Sequence, residues 1–257
     1  MAKLSPGLVS VTFRQLEPHP VIELAAEAEL EAIEWGGDVH VPHGDVAVAR
    51  EVGRLTREAG LRISAYGSYY RLGHEADDDV PDLLAVLDSA EALETSAVRV
   101  WAGRQDGRDA DDVYFDRVAE DGRRACDAAS ERGIAVHAEW HGGTVTDCAA
   151  SASRLAEAVP DLVFDWQPSR NVDVETRLAE LRSIERLGRV HVFHWLDTPD
   201  GAVRRPLEEG SSNWRRCLDE LSNHDDDHDL LLEFVRGDDV DAFQNDARTL
   251  RHWLAEV

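Results

Sequence analysis

The stretch DAASERGIAVHAEWH, residues 127–141, holds one complete turn of the pattern that organises the chain. A small, charged helical run ends at Gly133, a residue suited to the left-handed conformation that closes a helix. An apolar run follows at once and breaks off in Glu139, with His137 and His141 beside it. The same order of helix, glycine or polar turn, short apolar run and polar terminus recurs along the chain, which is the signature of repeated βα units. Eight apolar runs are expected as strands: Leu8 to Phe13, Ala32 to Trp35, Arg62 to Ala65, Ala97 to Trp101, Ile134 to Glu139, Leu162 to Asp165, Val190 to Phe193 and Leu230 to Phe234. The intervening helices are expected over Pro20–Glu29, Asp45–Ala59, Val80–Leu93, Asp111–Arg132, Thr146–Ala158, Val174–Leu187, Asn213–Leu221 and Asp239–Ala255, with Gly60 and Gly133 as C-terminal breakers and Thr146 and Asp147 as caps of the fifth.

Eight such units in 257 residues match the usual size of a (βα)8 TIM barrel, and no linker-like composition divides residues 1–257 into two domains. An open doubly wound sheet competes less well, because SVTFRQLEPHP (10–20) follows the first strand where a glycine-rich phosphate loop would stand. No run approaches the roughly 18 to 20 apolar residues of a membrane span, and MAKLSPGLVSVTF lacks the layout of a secretion signal, so a cytoplasmic protein is expected. Three widely spaced cysteines, Cys126, Cys148 and Cys217, provide neither a disulfide framework nor a metal knuckle.

Acidic residues number 52 against 27 basic ones, a net charge of −25, and Lys3 is the one lysine. A polyanion would be repelled, so nucleic acid is excluded as a partner. Runs such as Asp77-Asp78-Asp79 and Asp225-Asp226-Asp227 read as solvated loops, and the composition is that of a halophilic protein whose self-repulsion is screened by a high-salt cytoplasm.

In a barrel the carboxyl ends of the strands and the loops after them make the active face. The last four strands each end in a ligand-type side chain: Glu139, then Asp165 or Gln167 in LVFDWQP, then His191 or His194 in RVHVFHW, then Glu233 in LLLEFV. Asp165 and Glu233 interrupt apolar runs, and an unpaired carboxylate there costs several kcal/mol unless a cation or strong donors meet it. Asp165 outranks Gln167 on charge. Positions 191 and 194 have opposite strand parity, which favours His191 as ligand and leaves His194 as a substrate contact. Carboxylates with one imidazole and no thiolate suit Mn²⁺, with Mg²⁺ and Co²⁺ as alternatives. The first four strands add Arg14, then Glu34 and His40, then Tyr66, then Arg99 and Trp101, a mixture of aromatic faces and polar donors suited to a carbohydrate ligand.

The order of Glu139, Asp165, His191 and Glu233, together with IEWGGDVHVP (33–42), YGSYYRLG (66–73), RVWAG (99–103), DWQP (165–168) and HVFHW (191–195), resembles the sugar phosphate isomerase/epimerase group of the xylose-isomerase-like TIM barrels over essentially the whole chain. Two departures stand out: Asp165-Trp166-Gln167-Pro168 lacks the histidine of an Asp-x-x-His run, and Arg189-Val190-His191 replaces His-x-His. The resemblance implies a metal-dependent sugar isomerase or epimerase working through an enediolate on a small carbohydrate. In that reading Glu139 and Glu233 are the acid/base pair, Glu139, Asp165, His191 and Glu233 are the ligands, and Arg14, Glu34, His40, Tyr66, Arg99, Trp101, His141, Gln167 and His194 are substrate contacts. An inosose-type dehydratase and a sugar-binding barrel without activity are the alternatives, and self-association is left open.

Overall fold

Aspartate starts most of the helices. Asp45, Asp82, Asp111, Asp173 and Asp239 each turn a carboxylate onto the backbone N–H three residues on, opening α2 (Val46–Glu58), α3 (Leu83–Leu93), α4 (Asp112–Ser130), α6 (Val174–Ser183) and α8 (Val240–Leu254). This satisfies one orphan donor and places a negative charge at the positive end of the helix. The computed structural model, which describes residues 2–257, completes the set with α1 (Pro18–Glu27), α5 (Ala149–Ala158) and α7 (Ser211–Ser222). Gly60 and Gly133 take the expected positive φ, 80° and 69°.

Between the helices run β1 (Leu4–Val9), β2 (Ala32–Gly36), β3 (Arg62–Arg71), β4 (Ala97–Trp101), β5 (Ala135–Glu139), β6 (Val163–Trp166), β7 (Leu187–Val192) and β10 (His228–Leu232). All eight pair in parallel, and β1 closes the barrel by pairing both with β10, from Leu4↔His228 onward, and with β2. The helices cover the outside, and the apolar core fills the space between helix faces and barrel wall. No helix among the described residues is long and apolar enough to cross a membrane. The acidic runs at 77–79 and 225–227 are exposed.

Three expectations need correction. The first strand is Leu4–Val9, and the β-branched run read as Leu8 to Phe13 continues into a short 3-10 turn over Ser10–Phe13. That turn is buried and tied down by side chains: Ser10 Oγ accepts from Gly36 N at 2.9 Å, and Thr12 Oγ1 accepts from Phe234 N at 3.1 Å. Thr146 and Asp147 do not cap α5, which starts after Cys148 without a side-chain cap. Instead Thr146 Oγ1 donates to the Glu139 carbonyl at 2.6 Å and Asp147 accepts from Gly107 N at 2.9 Å, so both brace the loops after the strands. Finally, the β7–α7 connection contains an antiparallel hairpin, β8 (Trp195–Thr198) and β9 (Gly201–Arg204), outside the eight-unit pattern. Arg170 pairs with Asp197 and Arg204 with Asp238, anchoring it over the barrel mouth.

Candidate active site

Residues of equal parity on a strand share one side, so His137 and Glu139 of β5 face the barrel interior in two successive layers. The upper layer gathers Glu139, His191 and Glu233, all buried, with one ligand atom from each lying within 4.8 Å of the others. His191 is the hub: Nδ1 is 3.5 Å from Glu233 Oε2 and 3.7 Å from Glu139 Oε1, while Nε2 is 3.2 Å from Glu34 Oε2. Arg99, buried on β4, donates from Nε to Glu34 Oε1 at 2.6 Å and from Nη1 to Glu139 Oε2. Trp101 Nε1 also donates to Glu139 Oε2, and Gln167 Nε2 donates to Oε1 at 3.1 Å.

Three carboxylates thus surround one guanidinium and one imidazole. Burial works to lower the basicity of His191, but Glu233 and Glu34, with Glu139, outweigh it and hold the imidazole well above its ordinary value. Burial works against ionising Glu139, yet Arg99 and His191 prevail and hold its carboxyl below the usual range.

The lower layer centres on Asp165. Asp165 lies opposite Glu139 in register, but a bulge between Phe164 and Trp166 skips a residue of β7 and leaves the Arg189 amide facing it. Asp165 Oδ1 accepts from Arg189 N and from His137 Nδ1, both at 2.8 Å; Oδ2 is buried without a hydrogen-bond partner. Gly188 makes this closeness feasible, since a Cβ there would collide with the His137 ring and Asp165 Oδ1.

Above the upper layer opens a cavity of about 870 Å³, bordered by Glu139, Glu233, Arg99, Gln167 and the aromatic faces of Tyr69, Trp101, Trp140, Phe193, Trp195 and Phe234. Trp101 and His141 stack at 5.0 Å. Tyr69, Asn171 and Phe234 on the cavity wall hold positive φ of 58°, 57° and 52° without being glycine. Such strain persists where surrounding structure imposes it and concentrates at functional sites.

Residues 22–256 match the model of the xylose isomerase-like TIM barrel family. The chain belongs to this family. Solved structures of similar fold include the probable 3-DHS dehydratase AsbF of Bacillus anthracis (17% identity, 98% of this chain and 99% of that one, TM-score 0.76). The D-psicose 3-epimerase of Clostridium cellulolyticum H10, crystallised with D-tagatose, gives 13% identity over 98% and 99% of the chains and a TM-score of 0.69. A xylose isomerase-like TIM barrel protein of Mycobacterium smegmatis in complex with magnesium gives 13% identity over 98% and 97%, with a TM-score of 0.71. At these identities the likeness is one of fold. A search of curated proteins gives no sequence match.

Within this xylose isomerase-like barrel the expected site residues separate. Glu139, His191 and Glu233 converge; Asp165, expected as the fourth ligand, is not among the three whose ligand atoms meet, one of its oxygens being held by His137 and Arg189 and the other having no partner. Of the residues expected as substrate contacts, Arg14, Arg99, Trp101, His141 and Gln167 line the cavity. Four others do not. Glu34 lies beneath, between Arg99 and His191. His40 is a buried pin, its Nδ1 3.0 Å from Ser10 Oγ and its Nε2 3.1 Å from the Leu16 carbonyl. Tyr66 donates its hydroxyl to the Val41 carbonyl at 2.8 Å. His194 packs against Gly210, outside the cavity lining. Lining residues not expected at the site include Asp106, Arg108, Asp147, Arg170, Phe193, Trp195, Glu180 and Phe234. The aromatic spacing of HVFHW was a signal for Phe193 and Trp195; Arg170 carried none, because its place depends on the hairpin.

Proposed function

We propose that the chain is a divalent-metal-dependent isomerase or epimerase that moves a proton on a keto-sugar or related hydroxy-carbonyl compound. The observation that carries this reading is the convergence of Glu139, His191 and Glu233, the two glutamates bordering a cavity large enough for a sugar. Two carboxylates and an imidazole without thiolate fit a hard divalent ion, Mn²⁺ first and Mg²⁺ or Co²⁺ next. The fit is electrical as well: the three acids of the upper layer outnumber Arg99 and His191, the two groups able to carry positive charge there. A cation held there supplies a Lewis acid that polarises the substrate carbonyl.

The remaining work falls to the chain. The Glu233 carboxylate accepts from no close donor and borders the cavity, its nearest cationic contact being His191 at 3.5 Å, so it is the base that removes the proton beside the carbonyl. Glu139 is held on both oxygens by Arg99, Trp101 and Gln167, which keeps it an ionised carboxylate; Glu233, having taken the proton, returns it to the neighbouring carbon, and return to the opposite face requires Glu139 first to take a proton from water in the cavity. Glu34 holds the Nε2 edge of His191 and turns Nδ1 toward Glu139 and Glu233, the orienting role that carboxylates play behind ligand histidines. Aromatic faces on the wall cover C–H surface of the ligand. The acid-rich surface belongs to this picture as an adaptation of a cytoplasmic enzyme to high salt.

The test is product analysis with manganese-loaded protein on a panel of keto-sugars and inososes in deuterated water. Deuterium at the reacting carbon with an isomer or epimer as product supports the proposal; loss of water from the substrate assigns a dehydratase instead, and binding without exchange assigns a sugar-binding barrel.

A further inference from the structure

Trp101 lends its indole N–H to Glu139, and three neighbours fix where the ring that carries it can lie. His141, on the cavity wall, stacks on the ring with centroids 5.0 Å apart. Tyr69 meets it edge-on at 5.4 Å. Arg71, which does not border the cavity, places its guanidinium carbon 3.9 Å from the ring centroid, the closest of the three.

Arg71 reaches the indole through a break in the strand pairing. Gly67 lies opposite Arg99 and Arg71 opposite Trp101, so four steps along β3 match two along β4. A regular ladder would set Tyr69 opposite Trp101 instead. Tyr69, in the middle of the bulge, takes its φ of 58°, and Ser68 pins the bulge by donating to the Arg99 carbonyl at 2.7 Å.

The half-buried guanidinium makes one hydrogen bond, from Nη1 to the Gly103 carbonyl at 3.1 Å, and no ion pair among the described residues of a chain with 52 acids. Burial and then Arg104 lower its basicity, and the acids nearby do not reverse this. Its charge is directed at the π face instead, and such contacts are strongest where water is kept away. A loose indole would lose the alignment that an N–H···O bond demands, since these bonds weaken steeply off axis.

We infer that Arg71 is a positioning residue: it clamps the Trp101 indole so that Nε1–H stays on Glu139 Oε2, and through it holds that carboxylate in place. The clamp stands on geometry alone, whereas its consequence for turnover rests on the reading of the site as a proton-transfer centre.

The experiment follows the seven indole N–H signals of isotope-labelled protein by NMR, without added metal. Trp101→Phe removes one signal and so identifies it. In the wild type that signal is expected downfield of the position of an exposed indole and slow to exchange with water. Arg71→Gln, which keeps a donor for Gly103 and removes the cation, should move it upfield and speed its exchange by about tenfold, leaving the other indoles in place. Arg71→Lys, the milder change, should fall between the two and is the second variant should the first loosen the loop after β4. In manganese-loaded enzyme Arg71→Gln should lower kcat by about tenfold and change KM by less, with Arg71→Lys restoring part of the loss. An unchanged Trp101 signal in both variants, a shift shared by the other indoles, or an unchanged kcat overturns the inference. A moved Trp101 signal in a protein whose wild type converts no sugar upholds the clamp and overturns the reading on which its catalytic consequence rests.

Discussion

The two interior layers of the barrel use similar residues to opposite ends. In the lower layer an aspartate, a histidine and an arginine close on one another, Asp165 Oδ1 receiving two donors at 2.8 Å. In the upper layer the histidine stands 3.5 and 3.7 Å from two glutamates, neither of which it reaches at hydrogen-bonding distance. Asp165 is pinned through one oxygen, whereas the Glu233 carboxylate borders the cavity without a side-chain donor and keeps an interaction to give to something else. A third case lies outside both layers, where Asp246 is buried with one backbone donor, Leu207 N at 2.9 Å, and burial pushes its carboxyl up to about 6.

The largest effect expected from this contrast is catalytic. Glu233→Gln should reduce deuterium exchange at the substrate carbon by about 10³-fold, within the range of general acid–base catalysis, while circular dichroism shows an intact fold. Full exchange in that variant would remove the upper layer's role. Asp165→Ala should act on stability: losing one partner of a buried charged pair costs about 3 kcal/mol, or about 10 °C in Tm for a chain of this size. Manganese affinity should be little changed by it; if the affinity collapses instead, the separation into two layers is wrong. Glu34→Gln leaves a weaker partner for His191 and should lower manganese affinity by about 10- to 100-fold, read by calorimetry. The smallest effect is a pH dependence at Asp246. Between its ordinary value of 3.8 and about 6 the unfolded chain has released this proton while the folded chain keeps it, so stability falls as pH rises through that window and stays low above it. Asp246→Asn should abolish that fall, raising Tm by a few degrees at pH 7.5 and leaving it unchanged at pH 4.

Much of this was legible because periodicity reports on neighbours in the chain. The parallel barrel follows from eight repeats, and parity alone selected His191 over His194. What parity does not carry is a bulge: Asp165 has the correct alternation and the right strand end, yet one skipped residue on β7 supplies a backbone N–H that no reading of β6 contains. The same limit applies to His40, in the loop after β2, and Tyr66, within β3, whose partners are backbone carbonyls distant in sequence. Ser10–Phe13 misled for a related reason: its β-branched residues favour strand, but Ser10 and Thr12 find partners on neighbouring loops that hold a tight turn. The β8–β9 hairpin interrupts the alternation with two strands of four residues each, too short to announce themselves.

The central claim, a cation shared by the ends of consecutive strands, is tested most directly by crystals of the manganese-loaded protein measured at the manganese absorption edge. One anomalous peak among Glu139, His191 and Glu233, with Asp165 still against His137, is the predicted result. A peak elsewhere, or none at saturating manganese, contradicts it.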